Sequence, residues 1–283
     1  MNFIDFARIQ GIEIQHLHAS EKIQRTGTID HPRSTNGAYF WDGEKGWAMD
    51  WAGDARPVWF DNPDAKPWSD EERHRNALRR ASEGANRDKE YLRVAERAET
   101  SLKAATALLH PYFSIKGFPE EKGLVIDDKL LIPMRNVSNN KLQGYQSIRW
   151  DASERKYEKK MLFGMRSRNA VFFLGERTAK EKWLVEGFAT GLTVRAALKS
   201  VGITAAVVVC FSASNMAQVA DQLSGKRFIF ADNDDSGTGQ KAAAETGLPW
   251  TMSDIVGEDA NDLQKVSGLF AVVGKIMKLR ILK

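Results

Sequence analysis

The chain has 283 residues, 42% of them hydrophobic and 28% charged, with a formal net charge of +4. That length allows two domains with real cores, and no run approaches the ~18 consecutive apolar residues of a membrane span, so a soluble cytoplasmic protein with no membrane partner is expected. Cys210 is the only cysteine, which excludes an internal disulfide and a cysteine-based zinc site, while the mild positive charge permits a polyanionic partner without requiring one.

Residues 1–68 are rich in aromatics and turn signals, and "WDGEKGW" reads as a hairpin turning between Gly43 and Gly46. A small β-rich domain is expected there, with Tyr39, Trp41, Trp47 and Trp51 as a metal-free aromatic core. His16, His18 and His31 lack the fourth ligand and fixed spacing of a zinc site, so no zinc is predicted. Residues 69–109 change character: Ser69 followed by "DEER" supplies a cap and an acidic first turn, and no proline intervenes before Pro111. The segment predicts a helical connector, one long helix or two abutting near Gly84, and its balanced charge favours a solvated spacer.

From Pro111 the pattern turns extended. "KLLIPMRNVSNNKLQGYQSIRWD" is two extended runs around an Asn-rich turn, Ser138 to Lys141, within a mixed α+β basic subdomain over 110–180. Beyond it "KWLVEG", "AAVVVCF", "RFIFAD" and "PWTM" alternate with helical stretches. Such alternation predicts an α/β unit over 181–283, a parallel sheet flanked by helices on both faces.

In such a sheet the functional crevice lies outside the carboxyl ends of the strands. Glu186 follows one apolar run, Asp232 and Asp234 a second, and Asp259 and Asp262 lie beyond a third. Acids converging on one rim repel one another, and a hard cation relieves the repulsion. With no His or Cys beside them the composition selects Mg²⁺ or Mn²⁺. Asp235 and Asp262 read equally well as helix N-caps, and Asp235 is assigned as the cap of the helix after "DNDDSGTG".

Residues 141–168 hold Lys141, Arg149, Arg155, Lys156, Lys159, Lys160, Arg166 and Arg168 against Asp151, Glu154 and Glu158, interleaved with Tyr145, Trp150, Tyr157 and Phe163. Bases track phosphates and aromatic faces stack nucleobases, the combination of a single-strand binder. Arg149, Lys159 and Lys160 lead the candidates for template or triphosphate contacts, followed by Lys141, Arg166 and Arg168.

Together "LVEGFATGLTV", "FIFADNDDSGTGQKAA" and "GEDANDL" resemble the Toprim fold of topoisomerases and primases. "LLIPMRNVSNNKLQGYQSIRWD", "LLHPYFSIKGF" and "CFSASNMAQVADQL" extend the resemblance, over roughly 107–265, to DnaG-type primases and more closely to those of plasmids, phages and mobile elements. The resemblance implies synthesis of short RNA primers on single-stranded DNA from NTPs, in the cytoplasm of a bacterial host, beside a separate replicative helicase. It implies Glu186 as the catalytic acid or base and Asp232 and Asp234 as principal metal ligands, with Asp259 and Asn261 or Asp262 completing the site. It also places the N-terminal domain where DnaG-type primases carry a zinc ribbon. Two positions depart: Thr190 stands where those primases have an acid four residues after the Glu, and Asn261 where the last motif has one. The same carboxylates leave open a Toprim nuclease, a phosphatase, or a catalytically silent nucleic-acid-binding module. No Gly-x-x-x-x-Gly-Lys-Ser/Thr phosphate loop is present for a helicase.

Overall fold

The computed structural model describes residues 1–51, 56–62 and 69–281, and the chain divides into two compact units, Met1–Ala81 and Ser82–Lys283. The predicted end of the N-terminal domain at residue 68 lies outside the described residues.

The first unit opens with helix α1 (Phe3–Ile9), capped by the Asn2 side chain, which accepts from the Asp5 N–H. Strands β1 (Ile12–Glu13), β2 (Ser20–Thr28), β3 (Gly37–Trp41), β4 (Gly46–Asp50) and β5 (Val58–Trp59) form an antiparallel sheet in chain order. β3 and β4 are the predicted hairpin; Asp42 Oδ1 closes its turn by accepting from the Glu44 and Lys45 N–H groups. The core keeps Tyr39 of the expected aromatic set, with Trp41 packed against it, but is centred on α1 rather than on the tryptophans. Phe3 and Phe6 of α1 pack on Tyr39, Ala48 and Phe60, Trp41 is half-buried against them, and Trp51 is 52% exposed beneath the Arg25 guanidinium. An N-terminal helix brings enough apolar bulk that the tryptophans are not needed at the centre.

Helix α2 (Asp70–Ala104) is continuous, and the boundary between the units falls inside it. Gly84 does not break it, since one glycine in a helix costs only about 1 kcal/mol. Residues 106–109, expected to be helical, instead form strand β6 (Thr106–Leu109). There follow α3 (Pro111–Ile115), β7 (Lys122–Ile126), β8 (Lys129–Asn136), β9 (Leu142–Asp151), β10 (Lys156–Met161), β11 (Ala170–Leu174), β12 (Glu181–Val185) and α4 (Phe188–Ser200). The chain continues through β13 (Ala206–Val209), α5 (Ala213–Ala220), β14 (Lys226–Phe230), α6 (Thr238–Glu245), β15 (Trp250–Thr251), α7 (Ala260–Ser267) and α8 (Leu269–Ile281).

Ten strands of this second unit share one sheet in the order β10-β9-β8-β11-β13-β12-β14-β15, with β7 on β8 and β6 on β7. The last four, β13-β12-β14-β15, are parallel. Their side chains alternate between faces. Trp183, Val185, Val207, Val209, Phe228 and Phe230 meet α4, α7 and α8, whereas Leu184, Val208 and Ile229 meet α5 and α6. Burial on both faces is why these strands read as unbroken apolar runs. Trp183 is fully buried and stacks on Phe228 at 4.8 Å between ring centroids. Helix α8, which the sequence did not announce, buries Val272, Val273 and Ile276 in the same core. Among the described residues no helix is long and apolar enough to cross a membrane.

Candidate active site

The sheet delivers its acids at the carboxyl ends of the parallel strands. Glu186 directly follows β12, Asp232 stands two residues beyond β14, and Asp259 is the N-cap of α7 after β15. Phe211, past the end of β13, adopts φ 65, and its N–H donates to the Glu186 carbonyl at 2.9 Å. A non-glycine residue in that region carries a strain of order 1 kcal/mol, and here it pins the backbone of Glu186.

Thr190, on the first turn of α4 and fully buried, joins two of the acids: its Oγ1 lies 3.2 Å from Asp259 Oδ2 and 3.4 Å from Asp232 Oδ1. Thus the position that departs from the primase pattern is occupied by a donor between carboxylates. Asp259 Oδ1 accepts from the N–H groups of Asn261 and Asp262, and Asp262 Oδ2 accepts in return from the Asp259 N–H, a capping box. Asp262 therefore serves the helix end, and Asp259 turns one oxygen to the helix and the other to the rim.

Electrostatics marks the same cluster. Asp232 is pushed up to about 7 by burial first, then by the charges of Asp259 and Glu186, against the Thr190 hydrogen bond and Lys159. Glu186 is raised by burial and by Asp234, with Lys159 opposing. Asp234 behaves differently. Its carboxylate accepts from Ser236 Oγ at 2.7 Å, Thr238 N–H at 3.0 Å and Gly239 N–H at 3.3 Å, and these bonds, led by Ser236, hold it below the usual range. The carboxylate that caps α6 is thus that of Asp234, not Asp235, because the turn through Gly237 at φ 66 directs the earlier acid toward the helix N–H groups. Gly239 is required there: a Cβ would come 2.6 Å from the Asp232 carbonyl oxygen.

Of the six predicted basic contacts, Lys159 is the one whose charge couples to the rim. It is exposed by area, but loss of water about its ammonium, and then Lys116, lower its pKa, while Asp259, Asp232 and Glu186 act in the opposite direction. The others have different surroundings. Arg149 pairs with Asp128 at 2.7 Å and Lys160 with Glu158 at 2.6 Å. Arg166 lies 3.9 Å from Asp88 and over the Tyr91 ring, both on α2. Lys141 ends the β8–β9 turn, its N–H held by Asn139. Arg168 lines a cleft of about 200 Å³ with Phe211, Ser212, Ser214 and Asn215.

Three residues of the site were not singled out from sequence for these roles: Tyr112, Lys116 and Asn261 as a donor. His110 caps α3, its Nδ1 accepting from the Tyr112 N–H. The Lys116 carbonyl then receives Asn261 Nδ2 at 2.8 Å, which also reaches Thr193 Oγ1 at 3.1 Å. This explains the departure at Asn261: a carboxylate would set an acceptor against a carbonyl in a fully buried position. Asn261→Asp is expected to destabilise the second unit by about 2–4 kcal/mol, read as a lower urea midpoint with an unchanged slope.

Among the described residues no group of three or more His, Cys, Asp and Glu side chains stands ready as a metal-ligand set. The donor chemistry nevertheless fits a hard cation. All the rim donors are oxygens, Asp232 and Asp259 both lie within reach of the one Thr190 hydroxyl, and Mg²⁺ commonly takes only one or two carboxylates, completing its shell with water and phosphate.

No protein-family model matches the chain, and no curated protein matches it. Among solved structures, one similar chain comes from an assembly of bacteriophage T7 lagging-strand DNA polymerase with the primase domains of two gp4 subunits bound to an RNA/DNA hybrid and dTTP. Identity is 18%, coverage 63% of this chain and 88% of that one, and the TM-score 0.37. A second is the DnaG catalytic core, 16% identical over 53% of this chain and 52% of that one, also with a TM-score of 0.37. At that TM-score the likeness carries no functional weight.

Proposed function

We propose that the chain is a DNA primase, joining NTPs into short RNA primers on single-stranded DNA by metal-dependent nucleotidyl transfer. The observation that carries this reading is the rim itself: Asp232 beyond β14 and Asp259 beyond β15 lie on either side of the Thr190 hydroxyl, with Glu186 directly after β12. The sequence resemblance to Toprim primases, carried by these same acids and by the segments from residue 107 onward, supports it. Residues 1–68 then stand in the position of the DnaG-type zinc ribbon, 69–109 form a connector, 110–180 the basic subdomain and 181–283 the Toprim domain.

Asp232 and Asp259, with Glu186 and Asp234 at the margin, would hold Mg²⁺ or Mn²⁺; the capping role of Asp262 makes it a support for Asp259. A bound cation supplies neutralisation of phosphate charge and a lowered pKa for the attacking 3′-hydroxyl. Glu186, whose proton affinity is raised, is suited to receive that hydroxyl's proton. Lys159 binds the triphosphate, and its depressed pKa reflects an ammonium short of water that an anion would stabilise. Arg149, Lys160, Lys141, Arg166 and Arg168 are the bases this reading assigns to template phosphates. Unwinding would fall to a separate helicase.

The test is incubation with single-stranded DNA, labelled NTPs and Mg²⁺ or Mn²⁺, with products resolved by size. Short RNA that appears only when template is present is expected. Cleaved DNA or free phosphate would replace this reading with a nuclease or phosphatase.

A further inference from the structure

The chain between β10 and β11 forms a loop over 162–169, and the cleft of about 200 Å³ opens between this loop and the start of α5. Buried Asn215 ties its walls together. Its Nδ2 donates to the carbonyls of Ala170 and Cys210, both at 2.8 Å, and its Oδ1 accepts from the Asn169 N–H at 2.7 Å. One side chain thus fixes the end of the loop, the residue after β13 and the first turn of α5 relative to one another, so the cleft is built into the fold.

None of the side chains lining the cleft is acidic. Arg168 stands on the loop wall, and among the described residues its guanidinium has no ion pair or hydrogen bond. Ser167 beside it, and Ser212 and Ser214 on the opposite wall, add hydroxyl donors. A free cation among hydroxyls, with no carboxylate competing for it, suits a phosphate. Phe211 places the cleft next to the catalytic rim: it lines the cleft, and its N–H donates to the Glu186 carbonyl at 2.9 Å.

The same loop displays an aromatic ring. Phe163 is 90% exposed, although the residues about it are anchored. The Leu162 N–H donates to the Tyr145 carbonyl at 2.9 Å and the Met165 N–H to the Leu162 carbonyl at 3.1 Å. Met165 packs on Gly144, where a Cβ would come 2.5 Å from its Sδ, and Gly164 makes the turn at φ 81. Met161 and Arg168, which flank Phe163 in the chain, both line the cleft. A bare ring held beside an acid-free cationic cleft is the pairing that takes one nucleotide of a single strand, base on the ring and phosphate in the cleft.

We propose that the cleft and Phe163 form a nucleotide site for single-stranded template DNA: Phe163 stacks a base, and Arg168, with Ser167, Ser212 and Ser214, binds the phosphate next to it. This rests on the primase reading above and gives the template a specific seat beside Glu186.

Both side chains are exposed, so Phe163→Ala and Arg168→Ala are expected to fold as wild type does. The test is fluorescence anisotropy of labelled oligo(dT), and of the same strand made abasic, in EDTA so that cation binding and turnover play no part. Arg168→Ala is expected to weaken binding of both strands about tenfold and to reduce the slope of log affinity against log salt by about 0.7. Phe163→Ala is expected to weaken oligo(dT) binding about tenfold, with the salt slope and the abasic strand unaffected. Oligo(dT) binding that matches wild type in either variant overturns the proposal, as does an abasic strand that Phe163→Ala binds more weakly. A loss confined to Mg²⁺–ATP binding, measured by calorimetry, gives the cleft to the triphosphate and also overturns it. Failure of the wild type to bind oligo(dT) overturns the primase reading and this inference together, whereas the expected losses in a protein that makes no RNA with Mg²⁺ overturn the primase reading alone.

Discussion

Asp232→Asn is expected to make the cation-free protein more stable above neutral pH and to abolish nucleotide incorporation. Asp232 is held up at about 7, against an ordinary 3.8, by burial and by the charges of Asp259 and Glu186. The folded state therefore binds its proton more tightly than the unfolded chain does. Below pH ~4 both states are protonated and the group is neutral to stability. As pH rises from there through about 7, stability is lost, by up to about 4 kcal/mol at about 1.4 kcal/mol per pH unit. Asparagine keeps an oxygen for the Thr190 hydroxyl and removes the charge. Urea unfolding of the two proteins should nearly coincide at pH 4 and diverge progressively to pH 8, with the variant the more stable. Activity should move the opposite way, by about a thousandfold or more, because the amide cannot supply the charge a cation needs. A variant less stable than wild type at pH 8 would show that Asp232 is compensated within the protein alone.

Lys159→Ala carries the second large expectation. Its charge couples to three rim carboxylates although the side chain is exposed, so its removal should weaken NTP use by about a hundredfold, mainly as a higher KM if the triphosphate is bound equally in ground and transition states. Lys160→Ala should change little by comparison, because that lysine already pairs with Glu158 at 2.6 Å on the exposed side of the hairpin. Steady-state kinetics of the two variants side by side checks the difference, and equal effects would contradict the assignment of Lys159 to the rim.

The contrast between these two neighbours shows where sequence reading stops. β10 pairs with β9 in the register Lys159↔Ile148 and Lys160↔Ser147. Successive side chains on a strand point to opposite faces, so Lys159 shares the face of Tyr157, which rests on Tyr112, while Lys160 shares that of Glu158. Eight basic residues spread over 141–168 give no clue to that register. The acids were legible for a different reason. Strands buried on both faces stand out as apolar runs, and Glu186 and Asp232 come directly after two of them. Which oxygen does what was not legible: Asp234 and Asp235 are adjacent and chemically alike, and only the turn through Gly237 decides that Asp234 caps α6. The donor role of Asn261 lay beyond sequence for a third reason. It depends on the end of α3 meeting α7, a contact whose Lys116–Asn261 bond spans 145 residues.

Carboxylates from three strand ends that act as one site for joining nucleotides must release pyrophosphate with each addition. Pyrophosphate release tests this most directly, measured with single-stranded DNA, NTPs and Mg²⁺ for wild type and Asp232→Asn. Release from the wild type that requires all three additions, and none from the variant, is the predicted result; release at the wild-type rate from Asp232→Asn, or orthophosphate in place of pyrophosphate, would contradict it.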